Sequence, residues 1–254
     1  MTLRLSTGYR DNLCSHSGFS SSFMGGVIDI YSGSQPATAD SAVTGTLLGR
    51  VSIASTTYVA ETPASATITV AGTAGTIATL NIGTFNILPL GAVTYDTDAA
   101  TTALALYHAI NRNGVYRATY PGSGAIVTVV APPGTGDAHN GLALAATVTG
   151  GTTATSSGNI TGGVDATAGL TFGAPSAGAI SKSGVWSFNG LAIGTAGYFR
   201  FKASAVDGDG VSTTLVRADG SIAVSGADMN LSNISIAVGA PVTIDTFTYT
   251  QPAQ

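Results

Sequence analysis

Charged side chains are scarce in this sequence. Of its 254 residues, nine are Lys or Arg and 13 are Asp or Glu, which is 9% against roughly 25% in an average soluble domain. Glu61 is the only glutamate, and Lys182 and Lys202 are the only lysines. Because glutamate and lysine normally coat exposed helices, their near absence excludes a protein built from several such helices. With 44% hydrophobic residues, the chain also does not fit the composition of a disordered protein.

Cysteine, histidine and long apolar runs are also sparse. The single cysteine, Cys14, excludes an internal disulfide, and Cys14 and the three histidines supply too few ligands for a zinc cluster. No apolar run approaches the roughly 20 residues of a membrane-spanning helix, and the first residues lack the apolar stretch of a secretory signal. A net charge of −4 argues against a nucleic-acid-binding face. We therefore expect no metal, no cofactor, no nucleic-acid partner and no membrane partner.

Turn-forming residues recur about every 8 to 12 positions, which is typical of short antiparallel strands. Alternating apolar and polar residues predict strands at 27–31, 46–53, 233–238 and 242–249. Residues 198–206 predict a strand with Phe199 and Phe201 on one face, and with Arg200 and Lys202 on a solvent-exposed face. A turn at 207–210 and a returning strand at 212–217 would complete a hairpin, and a further turn is predicted at 218–220.

The middle of the chain differs because it contains the one strong helix signal. A helix is predicted near 97–113, with Asp96 or Asp98 as its N-cap and Gly114 as its end. Its apolar stripe is Ala99, Ala103, Leu106 and Ile110. Strands are predicted on both sides of the helix, at 66–70, 79–82, 116–120 and 125–130, and the Gly, Thr and Ser-rich residues 150–163 are predicted to be a connecting loop.

These patterns predict a mainly β protein. The expected fold is an antiparallel β-sandwich, jelly-roll or Ig-like, with an inserted small α+β (ββαββ) module. The sandwich would comprise residues 1–59 and 165–254, and the insertion residues 60–164, because the strand pattern that pauses near Ser55 resumes at Leu170. The N-terminal stretch from Ser6 is either one helical turn, capped by Ser6 or Thr7, or an arm.

Few residues could support catalysis. The carboxylate pairs Asp96/Asp98 and Asp207/Asp209 fit a helix cap and a hairpin turn better than acid–base catalysis. Asp207-Gly-Asp-Gly210 resembles the start of a calcium loop, but Val211 and Ala218 stand where two further oxygen ligands are expected. No Gly-x-Ser-x-Gly motif stands between a strand and a helix, and the histidines, His16, His108 and His139, lie in separate segments. We therefore expect no catalytic residue and no enzymatic activity.

The aromatic residues allow two interpretations. Trp186, the only tryptophan, shares strand parity with Phe188, which favours a place in the core for both. The alternative is that Trp186, Tyr116 and Tyr120 are exposed platforms that contact a glycan or another partner.

Both ends of the chain resemble small structural proteins of tailed bacteriophages. The resemblance is carried by Leu3-Arg-Leu-Ser-Thr-Gly-Tyr-Arg-Asp11, Val27-Ile-Asp-Ile-Tyr-Ser-Gly-Ser-Gln-Pro-Ala37, Gly194-Thr-Ala-Gly-Tyr-Phe-Arg-Phe201 and Ile244-Asp-Thr-Phe-Thr-Tyr-Thr250. The middle is similar to a small module that recurs in phage tail and surface proteins, through Ala109-Ile-Asn-Arg-Asn-Gly114 and Val127-Thr-Val-Val-Ala-Pro132.

This resemblance implies a non-enzymatic virion component, most simply a decoration, cement or other accessory protein on the capsid, neck or tail. Its partners would be the major capsid or tail proteins of the same virion, and it would form a homo-oligomer. It would be made in the host bacterial cytoplasm without a signal peptide. The alternative is a tail fibre or a receptor- or glycan-binding tail protein.

Overall fold

The computed structural model describes residues 3–15 and 18–251. The chain is mainly β with antiparallel sheets, which confirms the predicted fold class. It divides into two compact units, one formed by the residues up to Glu61 together with those from Ala166 onward, and the other by Thr62–Asp165. The predicted boundaries lie after residues 59 and 164. No helix in the described part of the chain has the length and apolar character needed to cross a membrane.

The elements follow one another along the chain in three groups. The first group is β1 (Arg4–Leu5), α1 (Thr7–Ser15), α2 (Phe19–Phe23), β2 (Val27–Ser32) and β3 (Leu47–Ile53). The second is β4 (Ser65–Gly72), β5 (Thr76–Ile82), β6 (Phe85–Asn86), β7 (Val93–Thr94), α3 (Ala99–Ile110), β8 (Arg117–Thr119), β9 (Ile126–Val130), β10 (Leu144–Thr149) and β11 (Thr152–Ser156). The third is β12 (Thr171–Phe172), β13 (Ala179–Ser183), β14 (Trp186–Asn189), β15 (Gly194–Lys202), β16 (Arg217–Ala223), β17 (Met229–Asn230), β18 (Ser235–Ile236), β19 (Pro241–Ile244) and β20 (Thr248–Thr250).

The first unit contains a large sheet and a small one. Antiparallel neighbours in the large sheet follow the order β1, β16, β15, β2, β3, β14, β19, while β17 pairs in parallel with β16 and β18 pairs with β15. The small sheet has the order β12, β13, β20. Phe199 and Phe201 point into the core between these elements, as their alternation predicts, and Trp186 and Phe188 are buried with them.

Aromatic rings dominate this core. Phe19 of α2 packs edge-on against Phe172 and Phe201, and it stacks on Tyr249 with ring centroids 4.3 Å apart. Such ring pairs contribute about 0.5–1.5 kcal/mol beyond their buried area. The N-terminal segment is therefore held by the core. It forms the full helix α1, longer than the single turn or arm predicted, and its start is capped by the Ser6 hydroxyl, which accepts the Tyr9 N–H at 3.1 Å.

The predicted hairpin after β15 is partly wrong. The returning strand begins at Arg217 instead of residue 212, and residues 218–220 continue that strand instead of forming a turn. The reason is packing across the pair. Gly220 lies opposite Phe199, whose ring leaves no room for a Cβ at that position, and Asp219 pairs with Arg200. Asp219 and Gly220, whose residue types are typical of turns, therefore lie within a strand.

The second unit has an aliphatic core beneath one helix. Its sheets have the orders β11, β4, β9, β8 and β10, β5, β6, with β7 paired to β5. The predicted loop 150–163 is wrong in part, because it contains β11, which pairs with β4. Its alternating Thr residues suit an edge strand as well as a loop.

Helix α3 is shorter than predicted and begins at a capping box. Asp98, rather than Asp96, is the N-cap, and its carboxylate accepts the Thr101 N–H at 2.8 Å while Thr101 Oγ1 accepts the Asp98 N–H at 3.2 Å. The helix ends at Ile110, and the left-handed Gly114 lies beyond it. Ala103, Leu106 and Ile110 of the predicted stripe are buried, and Ala99 packs against the same cluster.

Candidate functional site

A row of charged residues crosses the large sheet of the first unit on the face opposite the aromatic core. Arg50 of β3 stands opposite Asp29 of β2, Asp29 stands opposite Arg200 of β15, and Arg200 stands opposite Asp219 of β16. Positive and negative charges alternate along this row, so each residue attracts its neighbour on the next strand. Lys202 and Arg217 form the next row of the same face.

The pairs in these rows have close geometry. Arg50 and Asp29 form a two-point contact, with Nε–Oδ1 at 2.6 Å and Nη2–Oδ2 at 2.8 Å. Arg200 and Asp219 do the same, with both contacts at 2.7 Å and both side chains fully buried. Lys202 Nζ lies 2.8 Å from Asp29 Oδ2. Bidentate contacts of this kind are among the stronger protein hydrogen bonds.

The loop between β15 and β16 adds the remaining carboxylates and covers the rows. Asp207 contacts Arg217 through Oδ2 to Nε at 2.6 Å, and Asp209 Oδ2 lies 2.6 Å from Lys202 Nζ. Asp209 adopts a left-handed backbone with φ of 64°. Four cations and four carboxylates result, which we call the buried ion network: Asp29, Arg50, Arg200, Lys202, Asp207, Asp209, Arg217 and Asp219.

This network corrects one expectation and accounts for one sequence motif. Arg200 and Lys202 were expected on a solvent-exposed face, but both side chains are buried. Arg200 Nη2 donates to Ser41 O at 3.0 Å in the loop between β2 and β3, and Lys202 contacts Asp209 in the loop between β15 and β16. Asp207 and Asp209 hold Arg217 and Lys202, so the resemblance of their loop to a calcium site reflects ion pairing. No cluster of three or more metal-ligating side chains occurs within residues 3–15 and 18–251.

Burial and ion pairing shift the pKa values of the carboxylates in this network in opposite directions. Burial alone would raise the pKa of Asp207, but the hydrogen bonds from Arg217 and from the Asp209 N–H, with the charge of Lys202, hold this pKa below 3.8. At Asp219 burial prevails and raises the pKa despite Arg200. Burial and the nearby Asp29 raise the pKa of Tyr31, whose ring stacks on Tyr198 at 5.2 Å. Each carboxylate of the network contacts a cation, so removal of one partner would leave a buried charge unpaired.

The aromatic residues that the alternative interpretation treats as platforms belong to different units. Trp186 is fully buried in the first unit, where its Nε1–H donates to Ser183 O at 3.1 Å, so it presents no ring face to a ligand. In the second unit Tyr116 is buried and stacks on His139, with centroids 5.4 Å apart. Tyr120 is half-buried, and its hydroxyl donates to Gly124 O at 2.9 Å.

The remaining titratable candidates are scattered. His108 lies on α3 beside the Tyr107 ring, and burial lowers the pKa of His139. Cys14 is an exposed free thiol on α1. His16 lies outside the described residues.

Sequence reasoning missed an exposed apolar feature at one end of the large sheet. Two loops, 190–193 and 237–240, are joined there by hydrogen bonds from Gly190 N to Ala240 O at 3.0 Å and from Gly239 N to Gly190 O at 2.8 Å. We call them the apolar loop pair, because Leu191, Ile193 and Val238 are 57%, 80% and 65% exposed. The signal in the sequence is a short aliphatic run between two glycines, Gly190-Leu-Ala-Ile-Gly194.

The apolar loop pair also lacks charge. The nearest charged residues along the chain are Lys182 and Arg200 around the first loop, and Asp228 and Asp245 around the second. Exposed aliphatic side chains on loops that contain no charged residue are typical of surfaces that become buried in contacts. Comparison with protein-family models, with curated proteins and with solved structures finds no match for this chain.

Proposed function

We propose that this protein is a non-enzymatic structural component of a bacteriophage virion, such as a decoration, cement or other accessory protein on the capsid, neck or tail. The observation that carries the proposal is the apolar loop pair, which exposes Leu191, Ile193 and Val238 on a unit that pairs eight of its charged side chains in the buried ion network. Contact through such a surface buries apolar area without desolvating charge.

Two further arguments support the same function. The ends of the chain resemble phage structural proteins, and those ends build the unit that carries the apolar loop pair. In the buried ion network each cation contacts at least one carboxylate of the same network, which is the arrangement of a scaffold and not of a reactive group. The partners would be major capsid or tail proteins and further copies of this chain, assembled in the host bacterial cytoplasm.

The proposal is tested by the composition of purified particles. Mass spectrometry of particles from the phage that encodes this chain is expected to find it in many copies, and labelled antibodies seen by electron microscopy would place it on the capsid, neck or tail. Its absence from particles that contain the other virion proteins would overturn the proposal.

A pair of variants tests the role of the apolar loop pair. Ile193→Asp is expected to reduce the copy number per particle at least about fivefold, because the charge must be desolvated in the contact. Val211→Asp is the matched control, since Val211 is 79% exposed but lies in the loop at the other end of β15. Equal incorporation of both variants would show that the loop pair is not the contact.

The alternative, a glycan-binding tail protein, gains no comparable support. Glycan binding would depend most on an exposed ring of Trp186, but Trp186 is fully buried. We therefore propose no second function.

A further inference from the structure

The large sheet of the first unit has an edge that faces a groove. Its last strand, β19, pairs with β14 on one side only. On the other side is a groove of about 410 Å³, lined by residues 228–232 and by residues 242–248. A second groove of about 290 Å³ shares Ser232, Val242, Thr243 and Asp245 with it and is also lined by residues 233, 235–236 and 240–241. We call this continuous space, which two segments of the chain line, the seam.

The backbone of β19 presents hydrogen-bonding groups to the seam. Gly190 N donates to Ala240 O, which makes 190 and 240 a hydrogen-bonded pair of the antiparallel ladder. Bonded and non-bonded pairs alternate along such a ladder. Val242 and Ile244 therefore bond to β14, whereas the N–H and C=O groups of Thr243 point towards the seam. An open strand edge of this kind accepts an extended peptide as an additional strand.

The side chains of the seam indicate which peptide fits. Its inner wall includes Phe199, Ile244 and Phe247, which are apolar. Among residues 3–15 and 18–251, its charged lining residues are Asp228 and Asp245, and no Lys, Arg or His of these ranges lines it. Asp228 Oδ2 accepts the Ser221 N–H and hydroxyl at 2.9 and 2.7 Å, and Asp245 is exposed. The seam thus carries negative charge, whereas the buried ion network has equal numbers of cations and carboxylates.

We infer that the seam binds an extended segment of a partner protein, which adds as a strand to β19 and places a Lys or Arg side chain beside Asp245. Apolar side chains on the other face of that segment would pack towards Phe199 and Phe247. A strand of five or six residues, roughly 17–20 Å long, suits this mode of binding. The inference concerns recognition by one surface, and it holds whether or not the partner belongs to a virion.

The test is a titration of the ¹⁵N-labelled full-length chain with two synthetic peptides. The probe is acetyl-Thr-Lys-Val-Lys-Val-Thr-amide, and the control peptide has Glu in place of both Lys. The probe is expected to shift the amide signals of Thr243 and Asp245 and to slow their hydrogen exchange at least about tenfold, because these groups become paired. The control peptide should bind at least about fivefold more weakly, since it is repelled by Asp228 and Asp245.

Three variants separate the contribution of the backbone N–H from that of the carboxylate charge. Thr243→Pro removes the N–H that faces the seam and is expected to abolish binding, while Thr243→Ala keeps that N–H and should bind as wild type does. Asp245→Asn should weaken binding of the probe about two- to fivefold. Emission of the buried Trp186 verifies that each variant is folded.

Three results would overturn the inference. One is unchanged amide signals at 243 and 245 at millimolar probe, and another is equal affinity for the two peptides. The third is concentration-dependent self-association in sedimentation that Thr243→Pro abolishes, which would assign the edge to a second copy of the chain. Particle composition plays no part in these results, so failure here is distinct from failure of the proposed function.

Discussion

The two units of this protein reach a packed interior by different means. The first unit packs aromatic rings on one face of its large sheet and encloses the buried ion network on the other. The second unit packs aliphatic side chains from two sheets against one helix. In the second unit the charged residue Asp98 caps that helix from an exposed position.

The difference shows where charge is useful in a chain that has little of it. In the second unit Asp98 acts on its own neighbours, since it bonds Thr101 three residues away. In the first unit the partners lie far apart in sequence: Asp29 binds Lys202, and Arg200 binds Asp219. The first unit therefore depends on long-range pairing, and breaking one pair should harm it more than removing an exposed cap harms the second unit.

The largest effect is expected from Asp219→Ala. It leaves Arg200 buried without its carboxylate, and loss of one partner of a buried pair costs about 3–5 kcal/mol. The measurement is urea unfolding followed by emission of Trp186, which is the only tryptophan and lies in the core of the first unit.

A double variant identifies the cause of that loss. Arg200→Met with Asp219→Leu removes both charges and replaces them with apolar groups, so stability should return to within about 1–2 kcal/mol of wild type. If the double variant were as unstable as Asp219→Ala, packing rather than the unpaired charge would be responsible.

Leu106→Ala should produce the next largest effect, and in the other unit. Leu106 is fully buried on α3, and truncation of such a residue costs about 2–5 kcal/mol. Hydrogen exchange of the α3 amides measures the loss, while Trp186 emission should remain close to wild type. Leu104→Ala on the same helix is the matched control, because Leu104 is 40% exposed. Equal losses for both variants would show that α3 does not bury the face assigned to it.

Much of the fold could be predicted from local patterns. Alternation placed Phe199 and Phe201 in the core, and the apolar stripe identified the buried face of α3. The same alternation correctly put Arg200 and Lys202 on the other face. What local pattern could not supply was the burial of that face, because the contacts come from two loops, one that carries Asp207 and Asp209 and one that carries Ser41.

The candidate site was harder to predict than the fold. The single tryptophan suggested either a core residue or a platform, and only the packing of Phe172 and its neighbours places Trp186 in the core. The apolar loop pair depends on two loops more than 40 residues apart that become bonded through Gly190. A short aliphatic run in one loop does not by itself indicate exposure, since most such runs are strands.

A smaller effect is expected when acid protonates the carboxylate of Asp207 in the first unit. The pKa of Asp207 is held below its unfolded value of 3.8, so its stabilising effect is present above that value and is lost as the pH falls through the lower folded pKa. The melting temperature of wild type, followed by Trp186 emission, should therefore exceed that of Asp207→Asn at pH 5, and the gap should narrow towards pH 2. A gap that stays constant would mean that the charge of Asp207 does not contribute.

The smallest effect is expected from Asp98→Ala. Its carboxylate accepts the Thr101 N–H, and this bond, with the one from Thr101 Oγ1, holds the pKa of Asp98 below 3.8. Without it the first turn of α3 loses its cap, so the Thr101 amide should exchange faster while amides near Ile110 stay protected. Asp96→Ala is the control, since Asp96 is exposed and does not cap the helix. If Asp98→Ala instead lowered the stability of the second unit as much as Asp219→Ala lowers that of the first, exposed local charge would matter as much as buried pairing, and the distinction between the two units would fail.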